Sequence, residues 1–319
     1  MIRYLTELSL EHFIEAARNV PYQQIHSDLF PGIDLWVRRD DLIDPLISGN
    51  KAYKLIYNLL EARAEGKDTI VTCGGAWSNH IHATAAAGQR FGFHTVGIIR
   101  GHRPPVLSAM LQDAERFGME LKFVSRVVYR QRHEPDFCSM VGVNASGAWF
   151  IPEGGANQHG ANGVRLLGKI IGETCPVAFD ECWLACGTGL TLGALTSSLP
   201  AAVNPVGVPV LKAEKSIVTA IRKWARASKD TPVPKLITDC HHGGYGRYTD
   251  KLLGFLYQVS SAADLGLDHV YTGKVANALV SEYGGCTNNE HRSKGEVGRQ
   301  SRILMLHTGG LQGIRGLSK

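Results

Sequence analysis

The chain contains no Cys-x-x-Cys pair, no hydrophobic run long enough to span a bilayer and no basic run interleaved with aromatics. Each absence removes a class of protein. Seven cysteines, at positions 73, 138, 175, 182, 186, 240 and 286, are scattered and odd in number, which reads as reduced thiols and a cytoplasmic setting rather than a disulfide framework. No membrane span is expected. Residues 1–15 include acidic side chains and no long apolar stretch, so neither a secretory nor a transit signal is expected there. A net charge of +5, from 34 basic and 29 acidic residues, is a mild bias over 319 residues, so nucleic acid is not implied.

Several chemical motifs are missing as well. His80 and His82 are two apart and His241-His242 are adjacent, so neither pair has the i, i+4 spacing of helical metal ligands, and no metal is expected. There is no Gly-x-Ser-x-Gly nucleophile elbow. A dinucleotide fingerprint fails because Gly193 comes one place late after Gly187 and Gly189, and 205–211 holds no acid. The P-loop-like run Gly163 to Lys169 is followed by Ile170, which has no hydroxyl for magnesium, and it falls inside a predicted helix.

What is present is a long alternation of short apolar strands and amphipathic helices. The spacing predicts helix 51–65, strand 69–72, helix 79–91, strand 94–99, helix 105–117 and strand 120–124, with helices stopping at Gly66, Gly92 and Gly118. After an irregular polar connection over 126–147, strand 148–151 and a turn at 152–155 open a second region. It has helix 161–172, strand 181–185, a helix from Thr191, strand 205–211, helix 214–228, strand 235–239, helices 250–262 and 274–283, and strand 302–307. This is βαβ logic, so the fold class is α/β, with open, mostly parallel sheets flanked by helices. The expected split is a small domain over 52–158 inserted into a large one built from 1–51 and 159–319.

Three segments carry chemistry. In Ser48-Gly49-Asn50-Lys51, one lysine stands at the mouth of a helix for which Asn50 is the expected N-cap. A lysine there faces the positive end of the helix dipole, which favours the neutral amine that a Schiff-base lysine needs; in isolation it would read as a solvated surface residue. Gly74-Gly75-Ala76-Trp77-Ser78-Asn79-His80 joins a strand to a helix and offers amides, a hydroxyl and a side-chain amide to a carboxylate, or simply a Ser/Asn cap. Cys186-Gly187-Thr188-Gly189-Leu190-Thr191 follows an apolar strand, and its glycines turn backbone amides outward as a phosphate site would need. A tight strand-to-helix turn would read the same way.

In their order, these segments resemble the 1-aminocyclopropane-1-carboxylate (ACC) deaminase and D-cysteine desulfhydrase family, pyridoxal phosphate (PLP) enzymes with a tryptophan-synthase-β type of fold. The resemblance also rests on Arg38-Arg39-Asp40-Asp41-Leu42, Pro152-Glu153-Gly154-Gly155 with Asn157, Gly244-Tyr245-Gly246, Asp268 to Lys274 and His307-Thr308-Gly309-Gly310, and it covers nearly the whole chain. It implies that Lys51, beside Asn50, carries PLP covalently and moves the α-proton. Asn79 would bond the phenolic oxygen. Ser78, with the amides of Asn79 and His80 and next to Trp77, would hold the substrate carboxylate. Cys186 to Thr191 would bind the phosphate, Tyr245 and Tyr271 would line the substrate side, and Thr272 or Thr308, the latter followed by Gly309, would face the pyridine nitrogen.

Position 272 bears on the activity. The deaminase places a glutamate there, and a carboxylate keeps the ring nitrogen protonated and the electron sink strong; Thr272 is neutral. The resemblance therefore implies α,β-elimination from a small amino acid, D-cysteine giving pyruvate, ammonia and sulfide. The alternatives are ACC deaminase, another PLP-dependent deaminase or racemase, or a silent PLP-binding protein. A homodimer is implied by the resemblance alone. The chain departs from the family at Tyr53, where arginine is usual, at Leu190, where a smaller residue is usual, and at His269, where proline is common.

Overall fold

A computed structural model describes residues 4–144, 146–226, 234–284 and 300–317. In chain order its helices and strands are α1 (Leu10–Arg18), β1 (Tyr22–Ile25), β2 (Ile33–Arg38), α2 (Asn50–Ala64), β3 (Thr69–Gly74), α3 (Asn79–Phe91), β4 (His94–Arg100), α4 (Ala109–Arg116), β5 (Glu120–Val124), α5 (Arg126–Tyr129), α6 (Phe137–Met140), β6 (Ala148–Ile151), α7 (Gln158–Thr174), β7 (Glu181–Cys186), α8 (Leu190–Thr196), β8 (Asn204–Pro209), α9 (Glu214–Ala225), β9 (Lys235–Leu236), α10 (Asp250–Ala263), α11 (Thr272–Tyr283) and β10 (Ser301–Leu306).

The chain divides into two compact units: residues 1–19, 41–166 and 312–319 form one, and residues 20–40 and 167–311 the other. These bounds do not coincide with the expected 52 and 158. The physical reason is packing within the first unit. Phe13 of α1 meets the fully buried Tyr53 of α2 edge to face, with centroids 5.2 Å apart. The first half of α7 presses so closely on α2 that a Cβ at Gly163 would lie 1.7 Å from the Tyr53 carbonyl oxygen.

The first unit has a four-stranded parallel sheet in the order β5-β4-β3-β6. β3 is buried along five of its six positions, as expected for a parallel strand covered on both faces. Ser108 caps α4 by accepting from the Leu111 amide, which starts that helix four residues later than its spacing predicts. The connection over 126–147 is less irregular than expected, because α5 and α6 fold Tyr129, Phe137 and Cys138 into a cluster with Val71, Cys73 and Ile98.

The second unit has a six-stranded sheet in the order β1-β2-β10-β7-β8-β9, parallel except for β1. Strands β1 and β2, and helix α1, are elements that the sequence reading left unassigned. β2 alternates buried Ile33, Leu35 and Val37 with half-buried neighbours, a period-two signal. The predicted strand 235–239 shortens to the two residues of β9, and the predicted helix 214–228 ends at Ala225; Ser228 and Cys286 lie outside the described residues. Cys73, Cys138, Cys175, Cys182 and Cys240 are free thiols. No described helix is long and apolar enough to cross a membrane, and no described residues form a metal-binding cluster.

Candidate active site

In the first unit, the candidate residues gather at the N-termini of α2 and α3. Gly49, not Asn50, is the N-cap of α2; its φ of 65° with ψ of −152° is open to glycine and strained for other residues. Asn50 is instead the first helical residue, and its Oδ1 accepts from Lys51 Nζ at 2.7 Å. Lys51 is half-buried. Lys54, one turn on, is buried and donates to the Gly154 carbonyl at 3.0 Å. Gly155 leaves no room for a side chain there: a Cβ would approach Lys54 Cβ at 3.0 Å. Lys54 is thus tied to the 152–155 turn, while Lys51 is held by a neutral amide.

Ser78 is the N-cap of α3, its Oγ accepting from the Ile81 amide at 3.3 Å. This is the cap weighed above as the simpler reading. It uses one lone pair and leaves the hydroxyl proton available to an anion. Asn79 and His80 follow in the first turn of α3, where amides have no intrahelical acceptor. His80 is buried, and both ring nitrogens lack a protein partner. Burial, then the charges of Lys51 and Lys54, hold its pKa well below the ordinary histidine value, so the ring is neutral. Trp77 is half-buried beside Ser78.

The second unit holds the glycine loop between β7 and α8. Gly189 has φ 79°, and a Cβ on it would meet the Ile217 carbonyl oxygen at 2.9 Å, so the back of the loop is packed on α9. The front is open: at Gly187 the nearest atom to an added Cβ is Tyr271 Cε1, 4.0 Å away. Thr188 is half-buried and Thr191 buried, while Cys186 and Leu190 are buried, with Cys186 Sγ packed over Gly207 of β8. Leu190 therefore departs from the family pattern without obstructing the loop. A backbone cradle closed behind and open in front, with two threonines, fits a phosphate group.

Tyr245 and Tyr271 face each other edge to face, centroids 6.3 Å apart. Thr272 has a different partner from the one expected. Its hydroxyl donates to Asp268 Oδ1 at 2.7 Å and accepts from the Asp268 amide at 3.0 Å. The Asp268 carboxylate also accepts from the amides of Val270, Tyr271 and Thr272 at 2.8 to 2.9 Å. The Thr272 hydroxyl proton is therefore committed locally and is not offered to a ring nitrogen. Thr308 is buried at the end of β10, after His307, whose Nε2 donates to the Gly266 carbonyl at 2.8 Å and whose Nδ1 accepts from the Gly309 amide at 3.4 Å. His269 is buried against the Tyr248 ring. Tyr53, fully buried in the α1–α2 packing, is a core residue rather than a substrate contact. The resemblance implies no role for Asp268 or Lys274, although both lie in a segment that carries it; an acid four residues before a helix-starting threonine is the signal that marks Asp268.

The chain is similar to known proteins over most of its length. A family model described as "Pyridoxal-phosphate dependent enzyme" matches residues 16–264. A Pyrococcus furiosus protein named "Putative 1-aminocyclopropane-1-carboxylate deaminase" is 30% identical over 88% of this chain and 86% of its own length. The D-cysteine desulfhydrase of Salmonella paratyphi A is 27% identical over 97% of this chain and 96% of its own. Among solved structures, an ACC deaminase homologue matches with a TM-score of 0.73 and 26% identity, covering 92% of this chain and 90% of that one. Because that family model spans residues 16–264, the chain belongs to the pyridoxal-phosphate dependent enzymes.

Proposed function

We propose that this enzyme is a lyase that eliminates the β-substituent of a small amino acid, with D-cysteine as substrate and pyruvate, ammonia and sulfide as products. The observation that carries the choice is at position 272. No carboxylate occupies it, and the hydroxyl of the threonine found there donates its hydrogen bond to Asp268. The group at the pyridine nitrogen would then be the neutral Thr308 hydroxyl. PLP supplies an electron sink when bound; a neutral partner leaves that sink weaker, which suffices for expelling thiolate but serves poorly for opening an unactivated ring.

The protein's own groups divide the remaining work. Lys51 would carry the cofactor and, once released, move the α-proton as a base held at high effective concentration. The Ser78 hydroxyl and the Asn79 and His80 amides would fix the substrate carboxylate, which decides which bond at the α-carbon is aligned for cleavage. Asn79 would also bond the phenolic oxygen, and Asn50 would hold the Lys51 amine. Cys186 to Thr191 would hold the phosphate through backbone amides and the hydroxyls of Thr188 and Thr191. Tyr245 and Tyr271 would line the substrate side. A cytoplasmic homodimer belongs to the same proposal.

The names of the relatives favour a second reading, ACC deaminase, which uses the same residues. Incubating the protein with D-cysteine, L-cysteine, β-chloro-D-alanine, D-serine and ACC, and measuring sulfide and pyruvate, separates them. Sulfide from D-cysteine is the expected result, and turnover of ACC in its place overturns the argument from position 272.

A further inference from the structure

Lys274 is fully buried in the first turn of α11, yet nothing in the proposed chemistry uses it. Its Nζ donates to three backbone carbonyls, those of Gly244 and His241 at 2.8 Å and of Val210 at 3.3 Å. An ammonium has three N–H donors, so each has one acceptor. Two of these carbonyls belong to the segment that carries Tyr245, and the third lies just beyond the end of β8.

That segment has an unusual backbone, tied internally by the Gly244 amide to the His241 carbonyl at 3.0 Å, the Gly243 amide to His241 Nδ1 at 3.1 Å and the Arg247 amide to the Gly244 carbonyl at 3.2 Å. His242 has φ 49°, unusual for a non-glycine residue, and Gly243, Gly244 and Gly246 have φ of 90°, 117° and 69°. Four of these five consecutive residues are at positive φ, three of them glycines that are conformationally permissive, so the segment's one arrangement depends on what its groups are bonded to. α11 supplies a clamp from one face: Lys274 takes the carbonyls, and Asn277, three residues on, takes His242 Nε2 at 2.9 Å through its Oδ1. A buried lysine is an expensive way to add stability, because desolvating the charge offsets much of what the hydrogen bonds contribute. Arranging three carbonyls around one point is something an apolar residue cannot do.

We propose that Lys274 is a positioning residue for Tyr245: its ammonium gathers the carbonyls of Val210, His241 and Gly244 and thereby fixes where the Tyr245 ring stands. The inference rests on the reading that Tyr245 lines the substrate side. Without the cation, three carbonyl dipoles converge on each other, and the 241–246 segment opens.

The test uses Lys274→Met, similar in length but neutral, with Lys274→Arg as the variant that keeps the charge should the methionine variant fold poorly. Hydrogen exchange of the holoprotein reads the clamp without any assay of turnover. Peptides spanning 240–247 should exchange about tenfold faster or more in Lys274→Met, as expected where hydrogen-bonded structure opens locally. Those from α10 and β7 should be unchanged. Unchanged protection over 240–247 overturns the proposal.

Kinetics with D-cysteine then read the coupling. Lys274→Met should lower kcat/KM about tenfold or more, the scale on which a misplaced contact acts, while the borohydride-fixed cofactor stays on residue 51. In a Tyr245→Phe background the same change should have a clearly smaller effect, because the two act as one unit. Losses that multiply independently overturn the positioning role. If the wild-type protein turns over none of the amino acids tested, the proposed activity has failed, and the exchange measurement alone decides the role of Lys274.

Discussion

At the residue scale, the two lysines of α2 make opposite expectations. Lys51 is half-buried on a neutral amide, and Lys54 is buried on the Gly154 carbonyl. Borohydride reduction of the holoprotein followed by peptide mass spectrometry should place the cofactor label on residue 51 in the wild type and in Lys54→Met, and nowhere in Lys51→Ala. A label on residue 54 would reverse the assignment. Lys54→Met should instead lower stability, by about 1.5–3 kcal/mol for a buried hydrogen bond to a charged donor.

Thr272 offers a second test at this scale. Its hydroxyl both donates to and accepts from Asp268, so Thr272→Val leaves the buried Asp268 amide without a partner and removes one of four hydrogen bonds to its carboxylate, a loss of about 1–3 kcal/mol in urea unfolding. Thr272→Glu, the deaminase residue, would put a second carboxylate against Asp268 at a position with no exposure. The expected outcome is a destabilised protein without ACC turnover, and a stable, ACC-active variant would contradict the local geometry.

At the scale of elements, the same substitution should act with opposite signs in two helices. Gly163 in α7 lies where a Cβ would meet the Tyr53 carbonyl oxygen at 1.7 Å. Backbone atoms cannot yield as a flexible side chain can, so Gly163→Ala should lower stability by about 3 kcal/mol or more. Gly254 in α10 is exposed and has nothing within 4 Å, so Gly254→Ala should raise stability by about 0.5–1 kcal/mol, the helix-propensity gain. Thermal or urea midpoints of both variants check the pair.

At the scale of the whole molecule, buried titratable groups set the pH window of stability. His80 and His82 have pKa values lowered chiefly by burial. Below about 6.5 the unfolded histidines take up protons that the folded ones refuse, so the unfolded state binds more protons and stability falls with falling pH. On the alkaline side, burial raises Cys73 to about 12 and also raises Cys138, Cys182 and Cys240. Above 9.0 the unfolded thiols ionise first, the folded state retains more protons, and stability falls as pH rises. Lys274, lowered by burial to about 8, acts in the opposite direction between about 8 and 10.5, but it is one group against four. The urea midpoint should therefore be highest between about pH 6.5 and 9. His80→Asn should flatten the acid limb and Cys182→Ala the alkaline limb; limbs unchanged in these variants would assign the pH dependence to other groups.

Local patterns were legible wherever the information is local. Glycines at helix ends, apolar runs of strand length and the order of the short motifs placed β3 to β5, α3 and the β7–α8 loop within a residue or two. They could not show that β2 pairs with β10, because Ile33 and Ser301 are brought into register by a sheet assembled from both ends of the chain. The N-terminal strands went unassigned for the same reason: β1 has four residues, and its support comes from its partner.

The sequence by itself determined the α/β class, the cofactor family and which residues were candidates, because strand and helix periods and motif order are properties of the chain. Tertiary structure alone decided which hydroxyl is committed and which lysine is buried. It turned the Thr272 hydroxyl to donate to Asp268, sank Lys54 and Tyr53 into the packing of α2, and converged three distant carbonyls on Lys274. A hydrogen-bonding group has the same donors and acceptors in any sequence, but its partner is fixed only when burial removes water as the alternative.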